Sequence, residues 1–158
     1  TRRSLLAAFF GTPGAHGPSG ADRVKTLYAW NINATDADTQ RTLLAYKARY
    51  NAVSNLTYLP ARRAVEMLAS AINQANTLEP VKVAYALEGM KYAGPSGDSW
   101  MRTEDHQMIA PVYILSFAKA GQPGVKHDEE GTGYGWKTEA LIPAKDTVPA
   151  MKCQMERP

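Results

Sequence analysis

The side chains able to do chemistry in this chain are few and scattered. Histidine stands at 16, 106 and 127, and the single cysteine at 153. Metal sites need ligands at short, repeated spacings, and these positions offer none, so neither a metal nor another cofactor is expected. Glu104-Asp105-His106 holds the residue types of a general acid–base pair. Neighbours in sequence project differently, so adjacency builds no dyad. The expected role of Asp105 and His106 is to hydrogen-bond the backbone where the chain bends toward a strand. There is no Gly-x-Ser-x-Gly elbow and no Gly-Lys-Ser/Thr phosphate loop. Gly131-Thr-Gly-Tyr-Gly135 lacks a strand before it and a helix after it, so its glycines are expected to serve a turn. Catalysis is therefore not the expected role.

Binding is better provided for. Phe9-Phe10-Gly11-Thr12-Pro13-Gly14 joins a strand end to a Gly-rich loop. Open α/β sheets present backbone N–H groups and side chains to small ligands at such places. Phe10, Gly11, Thr12 and Pro13 are the expected contacts. By strand alternation, one of Phe9 and Phe10 instead belongs to the core. Tyr58, just before the main helical pattern, is a second candidate; its structural alternative is an interfacial tyrosine with a wet hydroxyl.

These residues must be positioned by elements of both kinds. Ser4–Phe10 and Arg23–Trp30 read as strands, with Gly11–Gly20 as a loop and Asn31–Ala34 as a connector. Thr35-Asp-Ala-Asp38 reads as a helix start capped by Thr35, and Leu43, Leu44, Lys47 and Tyr50 give one face ending near Asn51. From Leu59 to Asn76, Ala61, Ala64, Val65, Leu68, Ala71, Ile72 and Ala75 recur every three or four residues, which predicts an inward stripe. Pro80–Leu87 is a shorter helix turned inward by Val83, Ala84 and Leu87, with Pro80 in its first turn. Ala110–Ala118 and Trp136–Ile142 read as strands. Between them Gly121–Gly135 is expected to be a mobile surface loop, with Asp128-Glu-Glu130 as a solvated charge cluster.

The totals set outer limits. The chain's 158 residues suffice for one domain with a core, or for part of a larger protein. The formal charge of +3 is spread thinly, with Arg2-Arg3 and Arg62-Arg63 the nearest clusters, so a nucleic-acid partner is disfavoured. No run of about 18 apolar residues predicts a membrane helix.

One stretch carries more information than the rest. Gly89 suits the residue after a helix, because it takes positive φ without a Cβ clash. Gly94-Pro95-Ser96-Gly97-Asp98 then concentrates turn formers between Met90–Ala93 and Ser99–Arg102, which predicts a tight hairpin. Leu87-Glu88-Gly89, Gly94-Pro95-Ser96-Gly97 and Asp105-His106-Gln107, followed by an apolar strand, closely resemble the C-terminal part of a known family. It is the substrate-binding proteins of ABC importers, of the branched-chain amino acid type: the type I or Venus-flytrap periplasmic receptors. The Arg-Arg start with Leu5–Phe10 is similar to an export signal, but Gly11-Thr-Pro-Gly14 breaks the apolar run at once, and the family's strand-loop-strand order accounts for it as an internal segment.

The resemblance implies an α/β fold: Rossmann-like three-layer α/β/α elements, incomplete because only a C-terminal segment is present. Residues 1–50 would end lobe 2, 51–110 would form part of lobe 1, and 111–158 would return through the hinge and end in a tail. It implies no enzyme activity and no cofactor. The implied role is to capture an amino acid or related small molecule by lobe closure in the bacterial periplasm and deliver it to the permease subunits of an importer. A ligand-sensing regulatory domain on the same scaffold, of the amide-sensor type, is the alternative. In branched-chain amino acid members the matching loop carries a glutamate that pairs with the ligand's ammonium group; here that position is Pro13, which admits an amide or carboxylate instead. An isolated segment with exposed sheet edges is expected to dimerise or exchange elements.

Overall fold

The computed structural model describes residues 4–6, 13–153 and 155–156. In chain order the elements are β1 (Ser4–Leu6), α1 (Pro13–His16), β2 (Val24–Tyr28), α2 (Ala37–Tyr50), α3 (Tyr58–Ala75) and α4 (Pro80–Leu87). Then come β3 (Lys91–Tyr92), β4 (Ser99–Met101), β5 (Met108–Ile109), β6 (Val112–Lys119) and β7 (Tyr134–Ile142). The main sheet has the order β1-β2-β6-β7. β1 and β2 are parallel, with Ser4 opposite Val24, while β2–β6 and β6–β7 are antiparallel. A parallel pair needs a crossover. Here α1 and a 3-10 turn at Pro18–Gly20 lie on it, so the described part of the expected loop contains two helical turns. Of the expected strand Ser4–Phe10, residues 7–10 lie outside the described residues.

The glycine-bounded hairpin forms as its turn chemistry dictates. Gly89 follows α4 at φ 68°, and its N–H donates to Met101 O at 3.0 Å. Lys91 pairs with Trp100 and Tyr92 with Ser99, closed by Gly97 N–H to Gly94 O at 3.1 Å. β5 adds to β4 to make a second, three-stranded antiparallel sheet.

Asn31–Ala34, expected to be a connector, is a buried hub. Trp30 and Ile32 pack with Leu43 and Leu59 in one apolar cluster. Ala34 joins Leu56, Tyr113, Leu115, Phe117 and Trp136 in the other. The intervening residues turn the opposite way: Asn31 Nδ2 donates to Trp136 O at 3.0 Å and to Thr138 Oγ1 at 2.9 Å. Asn31–Ala34 closes as a turn, with Ala34 N–H donating to Asn31 O at 3.0 Å, and its polar side chains tie this packing to the edge strand β7.

The helices differ from expectation in which face is covered. The cap of α2 is Asp36 rather than Thr35: Asp36 Oδ1 accepts Thr39 N–H at 2.8 Å. The end near Asn51 is as expected, with Asn51 left-handed. On α2 Leu43 is buried, but Leu44 is 66% exposed and Tyr50 and Lys47 also face out. On α3 the buried line is Leu59, Arg63, Met67 and Ala71. Val65 is 68% exposed and Leu68 also lies outside, so the predicted stripe is rotated. Alanine-rich helices carry weak apolarity on several sides, and a long Arg stem can be buried as well as a Leu. Val83 is the buried residue of α4, as its inward assignment requires.

Candidate ligand-binding site

Of the five residues expected at the binding site, Phe10, Gly11 and Thr12 lie outside the described residues. Pro13 opens α1, a position that suits proline because its missing N–H would have no helical partner. Three residues later the His16 ring packs edge-on against Phe117, with centroids 5.5 Å apart, and against Trp136 at 5.8 Å. The end of α1 is therefore seated on the sheet at β6 and β7.

Tyr58 opens α3 and is half-buried in an aromatic group. Its ring centroid lies 5.6 Å from Trp30 and 4.8 Å, edge-on, from Tyr46. Tyr46 also meets Tyr50 at 4.7 Å, one helical turn along α2. Trp30 is fixed beneath by Nε1 donating to Thr39 Oγ1 at 3.2 Å. In the linker before Tyr58, the buried Ser54 hydroxyl has no hydrogen-bond partner among the described residues. Aromatic faces with phenolic hydroxyls suit stacking and hydrogen bonding to a small organic molecule. The Tyr46–Tyr50 spacing of four was visible in the sequence; the approach of Trp30 to Tyr58 was not. Tyr58's ring contacts are to Trp30 and Tyr46, on the α2 side, whereas α1 is seated on Phe117 and Trp136.

Loop 121–135 departs from its expected character. Val125 and Glu129 are buried, and only the flanks of Asp128-Glu-Glu130 behave as a solvated cluster. Glu129 Oε1 and Trp136 Nε1 are buried with no hydrogen bond of full geometry, and the indole beside the carboxyl only partly offsets its burial. Burial, and then the like charges of Glu130 and Asp128, push the Glu129 carboxyl up to about 8. It is a neutral acid at pH 7, and the Tyr28 phenol is raised by its own burial and by Glu129. The turn expected at Gly131–Gly135 forms, with Gly131 and Gly133 at positive φ. Gly135 has a different reason: a Cβ there would stand 2.6 Å from the His127 carbonyl oxygen. An open cleft of about 690 Å³ lies between this loop and the hub, lined by Asn33, Thr35, Gln40, Gly121, Pro123 and Lys126.

Asp105 and His106 do not form a dyad. Asp105 Oδ1 accepts Gln107 N–H at 3.0 Å, as expected, and Arg102 holds the carboxyl below the usual range. His106, at φ 53°, points its Nε2 to Glu88 Oε1 at 3.0 Å, a side chain rather than the backbone.

The family model described as "Periplasmic binding protein" matches residues 3–122. No curated protein matches the chain. Among solved structures, the leucine-, isoleucine-, valine-, threonine- and alanine-binding protein from Brucella ovis, in its closed conformation, is similar over 99% of this chain, with TM-score 0.82 and 18% identity. An amino acid ABC transporter substrate-binding protein from Pseudomonas fluorescens is similar over 94%, with TM-score 0.70 and 16% identity. A solute-binding protein of an ABC transporter from Rhodopseudomonas palustris, in complex with 3,4-dihydroxybenzoic acid, is similar over 83%, with TM-score 0.66 and 17% identity. The chain spans 41%, 38% and 34% of these three chains, respectively.

Proposed function

This chain belongs to the periplasmic binding protein family, and from that premise we propose that it is part of a solute-binding component of an ABC importer. The observation that carries the reading is the family match across most of the chain, joined to an α/β fold of the type I receptor kind. The family binds and delivers solutes; it does not transform them. In the proposed mechanism a small molecule bridges two lobes in the periplasm. Because it touches both only when they are closed, it shifts the population toward the closed form by the free energy of those extra contacts. The closed form then engages the permease.

Residues 1–50 belong, in this reading, to one lobe, 51–110 to the other, and 111–158 to the hinge return and tail. The segment Phe10–Pro13 and Tyr58 supply ligand contacts from this part of the receptor. Tyr58 contributes an aromatic face, held by Trp30 and Tyr46. A proline where the resemblance places a ligand-pairing glutamate favours amides and carboxylates over branched-chain amino acids. Relatives described with amino acids on one side and 3,4-dihydroxybenzoic acid on the other support a scaffold that admits both classes.

The test is a binding screen by thermal shift and calorimetry against branched-chain amino acids, short amides and hydroxybenzoates. Ligand at a hundred times its dissociation constant stabilises by about 2.7 kcal/mol. A carboxylate or amide hit weakened by Tyr58→Ala supports the reading. A branched-chain amino acid hit overturns the specificity inferred from Pro13. Silence across all three classes overturns the solute-binding role and favours the regulatory alternative.

A further inference from the structure

The turn at 128–134, between β6 and β7, folds back so that its middle acid points inward. Glu129 is 3% exposed, while Glu130 is exposed and Asp128 half-buried. Short backbone bonds close the turn. Glu129 N–H donates to Tyr134 O at 3.0 Å, Thr132 N–H to Glu129 O at 3.2 Å, and Gly133 N–H to Asp128 Oδ2 at 2.9 Å. Glu130 sits at φ 60°, a left-handed conformation that side chains disfavour. Such a residue persists only where its surroundings hold it, and the seat of Glu129 is the adjacent restraint.

The groups beside that carboxyl are neutral or acidic. From β2 comes the Tyr28 phenol, from β7 the Trp136 indole, and from the turn itself Asp128 and Glu130. None of the ion pairs among the described residues includes Glu129. An ionised carboxylate in this seat would lack a counter-charge and be repelled by both acidic neighbours. The neutral acid is tolerated, so its proton is held up to about 8.

We propose that the turn 128–134 is a latch, held shut by the neutral Glu129 carboxyl and opened by its ionisation. Lifting the turn carries the carboxylate into water, and only the turn's own short bonds must break. Opening uncovers the Trp136 indole, which also seats α1 through the His16 ring at 5.8 Å. The Asn33 grip on His127 stays in place and confines the opening to the residues beyond it. Between the ordinary 4.5 and about 8 the closed turn holds one more proton than the open one. The open population therefore rises about tenfold per pH unit through that window and levels off above it. The inference stands independently of the proposed function.

The experiment is backbone hydrogen exchange of the 158-residue chain, read by NMR between about pH 5 and pH 9, with each rate corrected for its intrinsic chemical rate. The Glu129 and Thr132 amides should be less protected than those of β6 and unaffected by low urea, the mark of a local opening. Their protection should fall about tenfold per pH unit up to pH 8. Glu129→Gln should hold it constant. Should Glu129→Gln not fold, the Trp136 indole N–H decides, because its exchange must follow the profile of the turn. Turn amides that exchange in step with β6 and share its urea dependence would overturn the latch in favour of global unfolding. Flat protection in the parent, the same slope in Glu129→Gln, or an indole rate indifferent to pH would overturn it as well.

Discussion

The side-chain amide of Asn33 grips His127 on both backbone groups. Its Oδ1 accepts the His127 N–H at 2.7 Å, and its Nδ2 donates to the His127 carbonyl at 2.9 Å. The same Nδ2 reaches Trp136 O at 3.2 Å. One buried residue of the hub thus substitutes for a strand partner and ties the middle of the loop between β6 and β7 to the start of β7. The loop's position follows from this clamp and from Gly135, where any side chain would press on the same His127 carbonyl.

Asn33→Ala should therefore destabilise the fold by about 2–4 kcal/mol, since several buried hydrogen bonds are lost and their backbone partners are stranded. Hydrogen exchange should show loss of protection concentrated at 125–136. Uniform loss across the chain, or none, would contradict the clamp.

Glu129 makes stability depend on pH in a defined direction. Its carboxyl titrates near the ordinary 4.5 when unfolded and at about 8 in the fold. Between those values the native state holds one more proton than the unfolded chain, so stability falls as pH rises through that window and levels off above it. The full cost is on the order of 5 kcal/mol. Glu129→Gln should remove this slope, match the parent near pH 4.5 and exceed it above pH 8, as read by denaturant unfolding across the range. A parallel slope in both proteins would show that Glu129 is not the titrating group.

Tyr58 separates packing from recognition through two substitutions. Tyr58→Phe keeps the ring against Trp30 and Tyr46 and should leave stability within about 0.5 kcal/mol. Tyr58→Ala removes both ring contacts and should cost about 1–3 kcal/mol. If the hydroxyl contacts solute, calorimetry will show weaker binding in the Phe variant at unchanged Tm. Equal affinity in the Phe variant limits Tyr58 to its aromatic face.

The start of α2 gives a sharp comparison between neighbours. Asp36→Ala should lose about 1 kcal/mol with the cap to Thr39 N–H, whereas Thr35→Ala should be nearly neutral. Urea midpoints of the two variants decide it, and the reverse order would restore Thr35 as the cap.

Much of the fold was legible because local chemistry determines it. Gly89 and Gly94-Pro-Ser-Gly97 dictate a helix stop and a hairpin wherever they occur, and the hairpin is there. The helices over 58–75 and 80–87 follow from periodicity and from Pro80. The order of these pieces was enough to suggest the family that residues 3–122 match. What tertiary structure alone decided is which faces are covered and which polar groups are enclosed. Val65 and Arg63 exchange the places their hydropathies suggest, because burial belongs to whichever stripe meets β4 and α4, and an Arg stem is apolar enough to lie there. The middle acid of Asp128-Glu-Glu130 is buried while its neighbours are solvated, since the clamp at His127 sets the direction in which the loop turns. Local sequence specifies dihedral angles and apolar periods. Long-range contacts between residues a hundred positions apart, such as Asn33 with Trp136, choose the face, and no local rule contains them.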